Sequence, residues 1–129
     1  MQINNRRLIL ILISLVSTFI ILRLYLHNFP NSNFDVAGYN IHHLFTGIVL
    51  IVIAGLPLIL FSGNNRLLDL ASITFGAGLS MVLDEWIYLI TTDGSDSSYL
   101  LPISFWGGAV VIGLTACYLV LLSFIRDSK

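Results

Sequence analysis

The sequence predicts an all-α polytopic membrane protein, four transmembrane helices in an antiparallel bundle. Three observations carry that expectation. Hydrophobic residues make up 57% of the chain. Asp, Glu, Lys and Arg together make up only 10%, against roughly 25% in a soluble domain. The apolar residues also fall into four runs separated by short polar segments. A chain of 129 residues has room for about four spans and little else. Residues 1–129 therefore read as a single four-helix transmembrane domain, with spans over about 8–26, 41–61, 67–90 and 100–125. The net charge of −1 provides no basic stripe to neutralise phosphates, which argues against a nucleic-acid partner. The single cysteine, Cys117, cannot form an intrachain disulfide and reads as a small buried hydrophobe.

The first run, LILILISLVSTFIILRLYL, follows Arg6 and Arg7 and ends near Arg23 and Tyr25. It is too long for a signal-peptide core and lacks a small-residue cleavage pattern, so it reads as a retained span. Arg23, near its far end, could snorkel to the headgroups, hold an anionic substrate headgroup, or pair with a carboxylate inside the bundle. HNFPNSNFDVAGYN is a loop by composition, with Pro30 and Gly38 against a long regular element. His27 reads as an interfacial loop residue, and Asn33 or Asp35 could cap the helix that follows.

The second run begins with His42 and His43 and carries Pro57 in its last turns, a position that membrane helices tolerate. SGNNR is a five-residue turn, short enough to make the second and third helices antiparallel neighbours. The third run starts near Asp69, an interfacial or capping charge, and holds Asp84 and Glu85 close to its far end. TTDGSDSS does not match a calcium-binding loop and reads as a solvated turn. Pro102 suits the first turn of the fourth helix.

Arg6, Arg7, Arg66, Arg126 and Lys129 fall on one side of this arrangement, and Asp35, Asp93 and Asp96 on the other. The positive-inside rule then places the chain in an inner or plasma membrane with both termini cytoplasmic. Tyr25, Tyr39, Trp86, Tyr88, Tyr99 and Trp106 gather toward the outer ends, as an aromatic belt would.

Ionisable residues inside a span are costly in lipid and point to a functional site. At about 1.5 Å per residue, Asp84 and Glu85 lie roughly 8 to 9 Å below the outer end of the third helix. His42 and His43 enter the second helix from that same side. The four side chains are therefore expected to meet. Four-residue spacings place His43, Gly47, Ile51 and Gly55 on one seam, Gly76, Ser80, Asp84 and Tyr88 on another, and Ser104 and Gly108 on a third. Gly47, Gly55, Gly76, Gly78, Ser80 and Gly108 are the expected helix-packing residues.

Three chemistries fit these residue types. His42, His43, Asp84 and Glu85 could bind a divalent metal, Zn, Fe or Mn, with Asp84 or Glu85 as the catalytic base of a hydrolase acting on a lipid-like substrate at the outer leaflet. They could instead relay protons or cations in a channel or transporter subunit. Or they could hydrogen-bond across helices in a structural or accessory subunit. Membrane lipids, a homo-oligomer or another membrane protein are the expected partners.

IHHLFTG and GAGLSMVLDEWIYL resemble the paired IHHxxxG and GxGLxxxxDE motifs of a small family of uncharacterised prokaryotic four-span membrane proteins. The family pattern often carries a further histidine before the first motif, where this chain has Asn40. The resemblance implies that the histidines and the acidic pair form one site, and it draws Gly47, Gly76 and Gly78 into the motifs.

Overall fold

A computed structural model of the chain describes residues 4–30, 35–37, 39–63 and 65–124. The described part is all-α apart from one very short hairpin. Its long helices are α1 (Asn5–Asn28), α2 (His43–Leu60), α3 (Arg66–Thr91) and α5 (Pro102–Ser123), joined by the hairpin β1 (Asp35–Val36) and β2 (Tyr39–Asn40) and by a single turn, α4 (Asp96–Tyr99). All four long helices are long and apolar enough to cross a membrane, and they overlap the four expected spans.

Local sequence sets the ends. The Asn4 side chain accepts from the Arg7 N–H at 3.2 Å and the Asn65 side chain from the Leu68 N–H at 2.9 Å, satisfying donors that a helix N-terminus leaves free. Pro102 occupies the first turn of α5, where its missing N–H costs nothing. Pro57 lies inside α2, and the helix closes just beyond it with the Phe61 N–H on the Pro57 carbonyl at 3.0 Å. The α2 cap differs from expectation. Asp35 begins β1 opposite Asn40, and Asn33 lies outside the described residues, as do Arg126 and Lys129. The start of α2 is instead satisfied from α3, because the Leu44 N–H donates to Glu85 Oε2 at 2.8 Å.

The helices are not an evenly packed bundle. α3 packs on α1, α2 and α5; α1 and α5 also touch, whereas α2 makes its substantial contact with α3 alone. α1 and α3 run parallel, since Arg6 meets Asp69, Ser14 Oγ donates to the Ile73 carbonyl at 2.6 Å, and Arg23 meets Asp84. Between the large buried side chains of Leu68 and Tyr88, the buried face of α3 is small or polar, with Ala71, Ser72, Gly76, Gly78, Ser80, Asp84 and Glu85, while Ile59, Leu60, Leu70 and Leu114 face outward. That distribution suits helices whose large apolar side chains meet lipid and whose small residues let backbones approach. Cys117, expected to be buried, is exposed.

Three of the expected packing glycines sit at close backbone crossings. A Cβ on Gly47 would come within 2.6 Å of the Gly78 carbonyl, one on Gly78 within 2.7 Å of the Gly47 carbonyl, and one on Gly76 within 2.5 Å of the Ile11 carbonyl. Gly55 differs: a Cβ there would touch only the Phe75 ring at 3.6 Å, an ordinary contact, so the α2–α3 crossing is tight around Gly47 and relaxed two turns further on. Ser80 is fully buried, with its hydroxyl unpartnered among protein atoms.

Candidate functional site

Five elements converge at one end of the molecule: the last turns of α1 and α3, the first turns of α2 and α5, and α4. Asp84 is the hub. It is 0% exposed, and its Oδ1 receives Arg23 Nη2 at 2.6 Å and Nε at 2.8 Å. Its Oδ2 faces His43 Nε2 at 3.2 Å and accepts the Tyr99 hydroxyl. Glu85, next along α3, points to the neighbouring sector. Its Oε1 lies 3.2 Å from His42 Nδ1 and 3.1 Å from His43 Nδ1, and its Oε2 takes the Leu44 N–H. A carboxylate at the first turn of α2 also complements the positive end of that helix.

The expected quartet is thus assembled, with His43 between the two acids and His42 on Glu85 alone. Of the positions open to Arg23, it takes the pairing with a carboxylate inside the bundle. Only 9% of its side chain is exposed, and all three guanidinium nitrogens have partners within the protein. Nη1 donates to the Tyr99 carbonyl at 3.0 Å, Nη2 donates to the Ser104 carbonyl at 3.0 Å, and both reach Ser104 Oγ. The physical reason is the cost of an unpaired Asp84, which draws the nearest cation inward. Gly108 makes room for that pair, since a Cβ there would lie 2.8 Å from Asp84 Oδ1 and 3.2 Å from Arg23 Nη2.

Tyr99 is a site residue that the sequence reading left in the aromatic belt. Its ring lies under the Arg23 guanidinium, 4.1 Å from Cζ to the centroid, and stands edge-on to His43 at 5.5 Å. Burial, together with the Asp84 carboxylate beside it, holds its hydroxyl protonated well beyond the ordinary tyrosine range, as a donor to Asp84 must be. No sequence signal separates Tyr99 from the other interfacial aromatics. Ser104 was on a predicted polar seam, but its hold on Arg23 was not legible.

A neutral imidazole carries one N–H. His43 Nε2 is hydrogen-bonded to Asp84 Oδ2 at 3.2 Å, and its Nδ1 lies at ion-pair distance, 3.1 Å, from Glu85 Oε1. As for a metal, no group of three or more His, Cys, Asp or Glu among the described residues is placed to hold one. The four acidic oxygens all face protein donors.

The chain matches no family model, and no curated protein or solved structure resembles it significantly.

Proposed function

We propose that this protein is a subunit of a proton-coupled membrane system, a channel or transporter, in which Glu85, His43 and Asp84 form a relay open to the outer aqueous side. The observation that carries the proposal is the His43 ring, 3.1 Å from Glu85 Oε1 through Nδ1 and 3.2 Å from Asp84 Oδ2 through Nε2. An imidazole between two buried carboxylates can pass a proton from one to the other by using both nitrogens. Arg23 fixes one charge in the cluster, so the mobile proton balances the other.

The orientation is part of the proposal. Arg6, Arg7 and Arg66 lie at the opposite end, and Asp93 and Asp96 lie at the site end, which supports an inner or plasma membrane with the site facing outward. A metal at the same quartet would have to displace donors that these carboxylates already accept. Helix faces such as Ile48, Val52 and Ile59 on α2 are exposed to lipid or to another subunit.

Infrared difference spectra of the protein in nanodiscs, recorded on acidification, test the relay. A carboxyl C=O band gained by the wild type is expected to shrink in Asp84→Asn and in Glu85→Gln. Identical bands in all three proteins would overturn the reading. Proton flux into liposomes separates transport from scaffolding, because equal flux with wild type and Asp84→Asn leaves the network a purely structural one.

A further inference from the structure

We infer that the α4 segment is a latch that seals Asp84, but not Glu85, from water at the site end of the molecule. The latch rests on its own contacts; its consequence for proton access rests on the relay proposed above.

Tyr99, only 6% exposed, is the seal. Its hydroxyl donates to Asp84 Oδ2, its carbonyl accepts Arg23 Nη1, and its ring packs edge-on against Tyr88 with centroids 5.4 Å apart. The other end of the segment is pinned where the Tyr88 hydroxyl donates to the Ser95 carbonyl at 2.9 Å. Between these anchors the turn is tied to itself. Asp93 Oδ1 accepts the Ser95 N–H at 3.1 Å, the Ser95 hydroxyl at 2.8 Å and the Ser98 hydroxyl. Gly94, at φ +74°, begins the turn in a conformation that few side chains permit. A segment bonded internally, with anchors at Tyr99 and Ser95, can lift as one piece.

The two acids differ in what covers them. Asp84 is enclosed by Arg23 of α1, His43 of α2, Gly108 of α5 and Tyr99 of the latch. Glu85 has no hydrogen bond to the latch; its partners are His42, His43 and the Leu44 N–H, and the His42 side chain is 25% exposed. With the latch shut, water therefore reaches His42, the hydrogen-bonded partner of the buried Glu85, and it reaches Asp84 only once Tyr99 leaves. Protons from the aqueous side arrive at Glu85 first.

Labelling with a water-soluble carbodiimide and a small amine, read by peptide mass spectrometry, tests this on the intact protein in nanodiscs. In Tyr99→Ala the Asp84 rate is expected to rise about tenfold or more, as for a locally opened segment, while Glu85 is unchanged. An unchanged Asp84 rate overturns the latch, and so does an equal rise at both acids, which general loosening would give. Tyr88→Phe keeps Tyr99 and frees only the far anchor. There the amides of Asp96–Tyr99 are expected to exchange with deuterium faster, and unchanged exchange also overturns the latch. The labelling contrast needs no proton transfer, so it can survive or fail independently of the infrared result.

Discussion

Two arginine–aspartate pairs join α1 to α3, one near each end. Arg6 Nη2 reaches Asp69 Oδ2 at 2.7 Å, with 65% of the Arg6 side chain but only 14% of the Asp69 side chain exposed. Arg23 Nη2 reaches Asp84 Oδ1 at 2.6 Å, with only 9% of the Arg23 side chain exposed and none of Asp84. Separations are nearly equal, yet the energetics differ. At the Arg6 end solvent still reaches the guanidinium, so it screens the pair and competes for the cation, and breaking the pair costs less. At the buried end each ion was stripped of water, and its partners in α1, α2, α4 and α5 replace that hydration. Contact geometry alone would rank the pairs together, whereas burial separates them.

The largest expected effect breaks the buried pair. Asp84→Ala leaves the Arg23 charge buried without its counter-ion and should cost about 3–5 kcal/mol in a reversible unfolding assay in bicelles. Replacing both partners with apolar residues, Arg23→Met with Asp84→Leu, should recover much of that loss, because no unpaired charge remains. A double variant as unstable as Asp84→Ala would mean that the pair itself, rather than the orphaned charge, carries the stability. Asp69→Ala should change stability by only about 0–1 kcal/mol in the same assay.

Backbone crossings sharpen the comparison at intermediate magnitude. Gly78→Val forces a side chain against the Gly47 carbonyl and should destabilise by about 1–3 kcal/mol. Gly55→Ala adds a methyl in ordinary contact with Phe75 and should be neutral or stabilising by up to about 1 kcal/mol, through helix propensity.

The smallest effect concerns the latch. The Ser98 hydroxyl, with Ser95 beside it, holds the Asp93 carboxyl down at about 2. Because that value lies below the usual carboxylate range near about 4, the stabilisation is fully present above that range and is lost as pH falls through about 2. Amide exchange in the Asp96–Tyr99 turn should quicken over that acid window, and Asp93→Asn should flatten the dependence.

Much of the architecture was legible because lipid imposes a simple code. Long apolar runs, the SGNNR turn and the charge asymmetry placed four helices and brought the His42–His43 and Asp84–Glu85 pairs to one end. Helical spacing also identified Gly47 and Gly76 at close crossings, and the GxGLxxxxDE motif added Gly78. Sequence periodicity could not reveal that α3 is central, because the apolar surface of α2 reads alike whether it faces a helix or lipid. The α2 cap was misplaced because its acceptor, Glu85, comes from another helix. Arg23 kept several readings open until burial chose among them. Tyr99 was hidden among aromatics whose composition reports depth in a membrane and not their polar partners.

The proposed relay turns on a mobile proton shared through the His43 bridge. Solid-state NMR of the protein in lipid, with ¹⁵N-labelled histidine and ¹³C-labelled carboxyl groups, counts it directly near neutral pH. A relay proton is expected to show either as two protonated His43 ring nitrogens beside ionised Asp84 and Glu85, or as one bare nitrogen hydrogen-bonded to a protonated carboxyl. A bare His43 nitrogen with both acids ionised would contradict it.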